Sequence, residues 1–273
     1  MSLFTVPGGG GFIGRHLSAY LRAQGHEVHT PERDAANLRG RDLGHVVYCI
    51  GMTGNFRDYP QRAVDAHVNR LYDLMSGAAF DSWLYLSSTR IYGGLPAGQV
   101  AREGDVLPVT PSADSLYDLT KMLGEAICLG HADPSVRVAR LSNVYGAGQG
   151  TSTFLGAVLR EAATAGAVTI GEDQRSAKDY LSIEDTVFYL KEIALKGSER
   201  LYNVASGRSV SHGDIAAVLA GMGKTVDFAQ GGAHRVFPPV DVSRLVGEFG
   251  AARHDLLRDL PEIMSVLSTQ NGT

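Results

Sequence analysis

Short apolar runs alternate with longer stretches of helical spacing along the first half of the chain. Strands are predicted at 3–6, 26–30, 45–51, 82–88 and 136–141. Helices are predicted at 13–24, 61–79 and 113–130. Strands that alternate with helices form βαβ units, and such units build a parallel sheet with helices on both faces. The pattern therefore predicts a doubly wound α/β fold.

The pattern becomes less regular after residue 143. Further helices are predicted at 153–164, 184–196, 211–220 and toward the C-terminus, and further strands at 167–170 and 200–205. No internal repeat or low-complexity linker separates the two halves. We interpret the second half as a smaller layer that is partly interleaved with the first sheet.

Composition and charge exclude several classes of protein. A chain of 273 residues with 44% hydrophobic and 20% charged residues can bury a large core, which excludes disordered and fibrous classes. The formal net charge of −4, without a basic patch, gives no reason to expect nucleic acid or an anionic membrane as a partner. The sequence has neither a signal-peptide pattern nor an apolar segment of membrane-spanning length. We therefore expect a cytoplasmic protein.

The residues that commonly bind metals or form disulfides are not arranged for either purpose. The two cysteines, Cys49 and Cys128, lie inside apolar runs without metal-ligand or redox spacing, and the nine histidines show no metal-ligand spacing. We expect two free cysteines that pack as small hydrophobic residues, a reducing compartment, and no metal site.

Four consecutive glycines, Gly8–Gly11, stand between the first predicted strand and the first predicted helix. With Gly14 they give the spacing G-x-x-G-x-x-G at Gly8, Gly11 and Gly14. Glycine permits a tight turn with positive φ and a close approach of backbone to a pyrophosphate, and the helix N-terminus offers free N–H groups. A flexible surface turn is the alternative. The strand before and the amphipathic helix after favour a dinucleotide-binding loop.

The end of the second predicted strand gives conflicting information on the cofactor. Glu32 lies where a carboxylate would accept hydrogen bonds from the adenosine ribose and repel a 2′-phosphate, which favours NAD. Arg33 could instead pair with a 2′-phosphate and favour NADP. We predict NAD, with NADP as the alternative, because an arginine at that position can simply be solvated.

Tyr117 and Lys121 are separated by one helical turn in the sequence "YDLTK". A phenol needs a nearby positive charge to act as an acid or base near neutral pH, because its ordinary pKa is about 10. The preceding predicted strand ends in Ser87, Ser88 and Thr89, at the edge where doubly wound sheets bind ligands. A hydroxyl there could orient a substrate beside the tyrosine.

Together these motifs resemble the extended short-chain dehydrogenases/reductases, in particular the NAD-dependent epimerase/dehydratase group that acts on nucleotide sugars. The resemblance covers nearly the whole chain. Its segments, in order, are "GGGGFIGRHL", "YLSSTRIYG", "YDLTK", "RLSNVYGAGQ", "KDYLSIEDT" and "LYNVASG". It implies a Rossmann-type sheet with a small C-terminal substrate-binding layer. The implied Rossmann domain is 1–145, to which 176–205 add, and the substrate-binding subdomain comprises 146–175 and 206–273.

The resemblance also implies roles for individual residues. Ser88 matches the catalytic serine or threonine, Tyr117 the general acid/base, and Lys121 the lysine that lowers the pKa of the tyrosine and holds the nicotinamide ribose. The implied cofactor-binding residues are Gly8, Gly11, Phe12, Ile13, Gly14, Glu32, Arg33, Gly51, Tyr117 and Lys121, with Asn37 and Leu38 as adenine neighbours. The implied substrate-binding residues are Ser88, Thr89, Asn143, Lys178 (in place of the usual arginine) and Arg235, with Arg244 as an alternative to Arg235.

Three departures from the family pattern refine this expectation. The crossover after Glu32 is shorter than usual, which predicts a reduced sheet edge and adenine pocket. His67 replaces a common asparagine and is at least as consistent with a buried structural histidine as with a functional one. Thr89 and Arg90 replace the Asp-Glu pair of the 4,6-dehydratases, so dehydration would lack its acid and base.

With dehydration disfavoured, the functions that remain for this family all depend on a bound nicotinamide dinucleotide. We expect an epimerase or oxidoreductase that acts on a nucleotide sugar through a keto-sugar intermediate. The alternatives are an NADPH-dependent 4-ketoreductase and a non-catalytic cofactor-binding protein. By analogy with the family, the helices at 61–79 and 113–130 predict a homodimer.

Overall fold

A six-stranded parallel sheet forms the centre of the molecule, whose computed structural model describes residues 1–32, 38, 40–52 and 56–269. Its strands are β1 (Leu3–Thr5), β2 (Glu27–His29), β3 (His45–Tyr48), β4 (Ser82–Ser88), β5 (Val136–Leu141) and β9 (Leu201–Val204). Their order in the sheet is β2-β1-β3-β4-β5-β9. The chain leaves β1 toward β2 on one side and reaches β3 on the other, so the topological switch point lies between β1 and β3. The predicted doubly wound fold is confirmed.

Helices cover both faces of this sheet. The α-helices of the described residues, some of which belong to the smaller layer, are α1 (Phe12–Ala23), α2 (Pro60–Val64), α3 (Arg70–Met75), α4 (Leu116–Leu129), α5 (Phe154–Ala165), α6 (Ile183–Lys196), α7 (His212–Gly221), α8 (Ser243–Phe249) and α9 (Leu256–Thr269). On one face α1 and α6 pack together over a core that includes Leu17 and Leu190. On the other face α3 and α4 cover Tyr48 and Trp83, both fully buried. A π-helical turn, Asp65–Asn69, joins α2 to α3.

A smaller layer continues from the carboxyl end of the large sheet. It contains β6 (Asn143–Tyr145), β7 (Ala167–Glu172), β8 (Ala177–Ser182), β10 (Ser209–Ser211) and β11 (Thr225–Ala233). These strands form one sheet of order β10-β8-β6 and a parallel pair, β11-β7. Helices α5, α7 and α9 enclose a separate apolar cluster with them. Because β6 begins two residues after β5 ends, this layer lies next to the ligand-binding edge of the large sheet.

A buried ion pair fixes α4 against the sheet. The Arg140 guanidinium on β5 donates to the Glu125 carboxylate on α4 at 2.6 Å, and both side chains are only 5% exposed. Arg140 also donates to the Tyr92 hydroxyl at 2.7 Å, and that hydroxyl donates to Asn203 Oδ1 on β9 at 2.7 Å. Each buried charge thus has partners, as a low-dielectric interior requires. The network holds in place the helix that carries Tyr117 and Lys121.

Three further findings apply to the described part of the chain. No helix in it is both long and apolar enough to cross a membrane. Its histidine, cysteine, aspartate and glutamate side chains form no group of three or more that could hold a metal ion. Cys128 is buried and Cys49 half-buried, and both are free thiols.

Candidate active site

The loop from β1 to α1 uses glycine where no side chain fits. Gly8 has φ +84°, and a Cβ there would lie 2.7 Å from the Cys49 carbonyl carbon and the Ile50 nitrogen. A Cβ on Gly14 would collide with the Gly8 carbonyl oxygen and lie 2.8 Å from Gly9 Cα. The loop therefore packs directly on the end of β3 and on the first turn of α1. This close backbone packing is what the dinucleotide-binding interpretation predicts.

The N-terminus of α1 faces the same loop. Gly11 is the N-cap residue and provides no side-chain cap, so the first N–H groups of the helix keep their capacity to bind an anion. Phe12 and Ile13 are partly buried against the core beneath. The cradle thus fits the pyrophosphate of a dinucleotide.

The residues expected near the adenosine end are only partly described. Glu32 lies three residues beyond the end of β2 and is exposed. Arg33 and Asn37 lie outside the described residues. Leu38 is 3% exposed and packs in the cluster beneath α3 and α4. In the large sheet of the described residues β2 is the edge strand, in agreement with the short crossover after Glu32.

The structure brings Ser88, Tyr117, Lys121 and Gly51 together. Ser88 is the last residue of β4, and its hydroxyl accepts a hydrogen bond from the Arg90 N–H at 3.2 Å. This hydroxyl also favours the ionised form of the Tyr117 phenol and so lowers its pKa. Lys121 Nζ donates to the Leu86 carbonyl at 2.8 Å and lies 5.9 Å from the centre of the Tyr117 ring. A Cβ on Gly51 would lie 3.7 Å from Lys121 Nζ, so the segment that follows β3 passes close to the lysine. Tyr117 and Lys121 are 5% and 4% exposed.

Burial controls the protonation of both α4 side chains. It raises the pKa of Tyr117 to about 12, although the Ser88 hydrogen bond and the Arg90 charge oppose the rise. It lowers the pKa of Lys121 to about 7, although the Glu125 carboxylate opposes the fall. At neutral pH the tyrosine is therefore a protonated phenol, and the cation that acts on it is Arg90. The expectation that Lys121 lowers this pKa stays a prediction; its Nζ donates to the Leu86 carbonyl.

His67 forms hydrogen bonds to the segment that follows β3 and to α4. Its Nε2 accepts a hydrogen bond from the Met52 N–H at 3.1 Å, and its Nδ1 lies 2.9 Å from the Thr120 hydroxyl. The ring is fully buried and meets the Tyr117 ring edge-on, with centres 5.4 Å apart. Burial lowers the pKa of His67 to about 2. His67 is thus a neutral, hydrogen-bonded residue that supports the tyrosine.

Arg90 occupies the space beside Tyr117. Its Nε pairs with the Asp118 carboxylate at 3.0 Å, and its guanidinium lies 5.5 Å from the centre of the Tyr117 ring and 5.2 Å from that of Phe56. Thr89, the other substitution at this point, begins the 3₁₀ turn that follows β4. The group next to the phenol is therefore a cation paired with a carboxylate.

The two cations expected at the substrate share one carboxylate. Lys178 on β8 and Arg235 both pair with Glu172 at the end of β7, at 3.4 and 3.0 Å. Arg235 is 58% exposed, whereas Lys178 is 12% exposed. The structure thus brings the two cations together.

The other predicted substrate contacts have different positions. Asn143 begins β6 and is exposed, and its amide donates to the Asp179 carbonyl at 2.9 Å. Arg244 donates to the carbonyl of Leu201, the first residue of β9. Because ligands bind at the carboxyl ends of parallel strands, Arg244 lies at the wrong end of the sheet for a phosphate contact. The proposed alternative role of Arg244 is therefore wrong.

Sequence reasoning missed three side chains at this site. Glu172 was not singled out, nor were Phe154 and His212, whose rings stack with centres 4.0 Å apart. Each is separated in sequence from the cations that it neighbours. The one available signal was an acidic residue six positions before Lys178, across a turn between two strands.

The comparisons with known proteins identify the family. The sequence model of the "NAD dependent epimerase/dehydratase family" matches residues 4–205. The chain therefore belongs to this family.

The chain is also similar in sequence to two nucleotide-sugar reductases and in fold to a solved structure. The chain is 27% identical to a GDP-6-deoxy-D-mannose reductase of Pseudomonas aeruginosa, with 79% of this chain and 78% of the relative covered. It is 26% identical to a dTDP-4-dehydro-6-deoxy-D-allose reductase of Streptomyces bikiniensis, with 80% and 81% covered. The structure of RMD from Pseudomonas aeruginosa, complexed with NADPH, superposes with a TM-score of 0.83 at 22% identity, over 99% of this chain and all of that one.

The family assignment confirms the central predictions. The resemblance to the epimerase/dehydratase family, the Rossmann-type fold, and the assignment to enzymes that use a nicotinamide dinucleotide are correct. The expected chemistry on nucleotide sugars agrees with the names of both relatives.

Proposed function

We propose that this protein reduces the keto group of a nucleotide-linked 4-keto-sugar. The observation that supports this most directly is the grouping of Ser88, Tyr117 and Lys121 at the end of β4, where burial keeps the Tyr117 phenol protonated. Reduction of a ketone needs a proton donor for the oxygen, and a phenol whose pKa is raised keeps its proton at neutral pH. The two curated relatives named above are both reductases, which favours this direction over epimerisation.

In this mechanism the chain's own residues orient the ketone and supply the proton. The nicotinamide supplies the hydride when it is bound. Ser88 donates a hydrogen bond to the substrate oxygen, and Tyr117 transfers its proton to that oxygen as the carbon is reduced. The phenolate that remains is stabilised by Ser88 and by the Arg90 charge, and Lys121 adds to this in its protonated form. A proton from solvent then restores the phenol.

The glycine loop supports a dinucleotide as the cofactor. Gly8, Gly11 and Gly14 would cradle the pyrophosphate, with Phe12 and Ile13 beneath it, and Gly51, Tyr117 and Lys121 would lie at the nicotinamide end. We keep the prediction that Glu32 favours NAD, with NADP as the alternative that Arg33 supports.

Substrate recognition is proposed for the side chains that face the small layer. Lys178 and Arg235 would bind the diphosphate, Asn143 would lie beside it, and Thr89 and Ser88 would contact the sugar. In the domain arrangement proposed here, residues 1–145 and 176–205 bind the cofactor, and 146–175 and 206–273 bind the nucleotide sugar. The lack of carboxylates at Thr89 and Arg90 speaks against dehydration.

We also propose that the protein is a cytoplasmic homodimer. Its free thiols are consistent with a reducing compartment. Two large apolar side chains, Tyr72 on α3 and Leu123 on α4, are 60% and 51% exposed. They lie on the helices that correspond to the ranges 61–79 and 113–130 in the sequence, and a second copy of the chain would cover them.

The test is to incubate the protein with a panel of nucleotide 4-keto-sugars and either NADH or NADPH. Turnover is measured by the absorbance of the reduced nicotinamide, and the products are identified by chromatography. We expect stoichiometric loss of the reduced cofactor, and a loss of about 100-fold or more in the rate for Tyr117→Phe. Tyr20→Phe serves as the control, because Tyr20 lies on α1 beside Lys191.

Each other outcome has a defined meaning. Isomer formation without net loss of cofactor would make the protein an epimerase. Turnover of no substrate by the wild type, or equal rates for Tyr117→Phe and the wild type, would contradict the enzymatic proposal and leave a cofactor-binding protein.

A further inference from the structure

The Glu172 carboxylate occupies the space between the two cations proposed to bind the substrate diphosphate. Its Oε2 lies 3.4 Å from Lys178 Nζ, and its Oε1 lies 3.0 Å from Arg235 Nε. Both oxygens are therefore engaged, one by each cation, in the manner of an anionic ligand. A diphosphate could not bind both cations while this carboxylate stays in place, because like charges at such distances repel.

Lys178 and Arg235 are each held by contacts that do not involve Glu172. Lys178 Nζ lies 4.5 Å from the centre of the Phe154 ring, a cation–π distance. The Arg235 backbone N–H donates to the hydroxyl of Ser176, a fully buried residue, at 2.9 Å. If Glu172 moves away, the Lys178 ammonium therefore keeps its aromatic contact, and the main chain of Arg235 stays in place while its exposed guanidinium becomes available to a ligand.

An alternative partner for Glu172 lies close to Oε2, the carboxylate oxygen that also pairs with Lys178. His212, the first residue of α7, is fully buried, and neither of its ring nitrogens has a hydrogen-bond partner among the described residues. Its Nε2 is 3.7 Å from Glu172 Oε2, just beyond hydrogen-bond distance. An unpaired buried ring nitrogen is costly, so a short movement of the carboxylate toward His212 would be favourable.

We propose that Glu172 is an internal substitute for the substrate's diphosphate, which neutralises Lys178 and Arg235 in the free protein and turns toward His212 when a nucleoside diphosphate binds. The inference rests on the proposed substrate site. Its consequence is that the carboxylate weakens the binding of diphosphates and lets the cation pair persist without a ligand. It also discriminates against weaker anions, because a ligand must displace two ion pairs to enter.

The proposal is tested by calorimetric titration of UDP, GDP and dTDP into wild type, Glu172→Gln, Glu172→Asp and Asp173→Asn. Asp173 is the matched control, because it is the adjacent carboxylate and pairs with Arg175 at 2.8 Å instead of with the two cations. Both glutamine and asparagine changes remove one negative charge with little change in shape. We expect Glu172→Gln to tighten binding of the best nucleoside diphosphate roughly tenfold, and Asp173→Asn to change it by less than about twofold.

Two further measurements separate displacement from a general effect of charge. Aspartate is one methylene shorter and cannot reach both cations equally well, so Glu172→Asp should give an intermediate gain. Uridine, guanosine and thymidine lack phosphates, so their affinities should not change in Glu172→Gln. Weaker binding by Glu172→Gln, or a gain equal to that of Asp173→Asn, would overturn the proposal.

Lys178→Ala distinguishes this proposal from the underlying site assignment. If Lys178→Ala weakens diphosphate binding and Glu172→Gln does not strengthen it, the substrate site stands and the substitute role of Glu172 fails. If no nucleoside diphosphate binds either the wild type or Glu172→Gln, both the site and the role of Glu172 fail.

Discussion

His67 illustrates, at the scale of single residues, how burial determines the charge of a side chain near the site. Its two ring nitrogens are committed to the Met52 N–H and the Thr120 hydroxyl, and the ring has no exposed surface. A proton on Nε2 would break the first of these bonds and place a buried charge near Lys121. The same contacts that orient Tyr117 therefore keep this histidine neutral.

This neutrality predicts a pH dependence of stability. The ordinary pKa of histidine is 6.5 in the unfolded chain, and that of His67 in the fold is about 2. Between these values only the unfolded chain binds the proton, so the contribution is complete above pH 6.5 and is lost as the pH falls. We expect His67 to contribute a loss of about 2 kcal/mol between pH 7 and pH 5 to the free energy of unfolding, which is measured by urea denaturation.

Two histidine variants test the source of that loss. His67→Gln should fall less in stability between pH 7 and pH 5 than the wild type does. His29→Gln, at an exposed position on β2, should keep the wild-type dependence. An unchanged pH dependence in His67→Gln would show that other groups are responsible.

The residues that carry recognisable chemistry could be read from the sequence, and those that act through tertiary contacts could not. Tyr117 and Lys121 were predicted from their spacing of one helical turn, and the family resemblance selected Ser88 among the three hydroxyl residues at the strand end. The structure brings them together. The Arg90 contact with Tyr117 and the Glu172 contacts depend on how separate elements pack, and no local pattern encodes that packing.

At the scale of elements, the strands of the large sheet were predictable, whereas β6, β8, β10 and β11 of the smaller layer were not. The predicted strand at 136–141 and the predicted helix at 184–196 agree with β5 and α6 within one residue. The strands β6 and β10 have three residues each and no apolar alternation. Such strands are defined by their pairing with β8, which is a long-range contact.

The junction between the glycine loop and α1 gives a prediction at this scale. A Cβ at Gly14 would meet backbone atoms of Gly8 and Gly9, whereas a Cβ at Gly10 has nothing within 4 Å. We expect Gly14→Ala to destabilise the protein by about 1–3 kcal/mol, even though alanine favours the helix by about 1 kcal/mol, and to weaken cofactor binding. Thermal unfolding and fluorescence titration with NADH and NADPH measure the two effects.

Gly10→Ala is the matched control for stability, because it removes the same flexibility from the unfolded chain. It should change the free energy of unfolding by less than about 0.5 kcal/mol. Equal stability of the two variants would mean that the loop can move away from the added methyl group.

At the scale of the whole molecule, the alternation of strands and helices was sufficient to predict the large sheet. The second layer was predicted only as a looser region, since its strands come from distant parts of the chain. The partition into two units by residue range, and the association of two copies, stay predictions.

The proposed dimer is tested by light scattering at micromolar concentration. We expect the wild type to have the mass of two chains, and Leu123→Asp to be monomeric, because the new carboxylate would be buried without a partner. Val106→Asp is the control, since Val106 is 87% exposed in the loop before α4, and it should stay dimeric. A monomeric wild type would contradict the proposal.

The short strands at the edges of the large sheet bear on aggregation. In the sheet formed by the described residues, β2 has three residues and β9 has four. An edge strand exposes unpaired backbone groups that can recruit a strand from another molecule, and long, flat edges do this best. Edges of this length are weak templates for intermolecular β-pairing. The large sheet is thereby protected against growth into fibrils, and association between copies is left to the exposed faces of the helices.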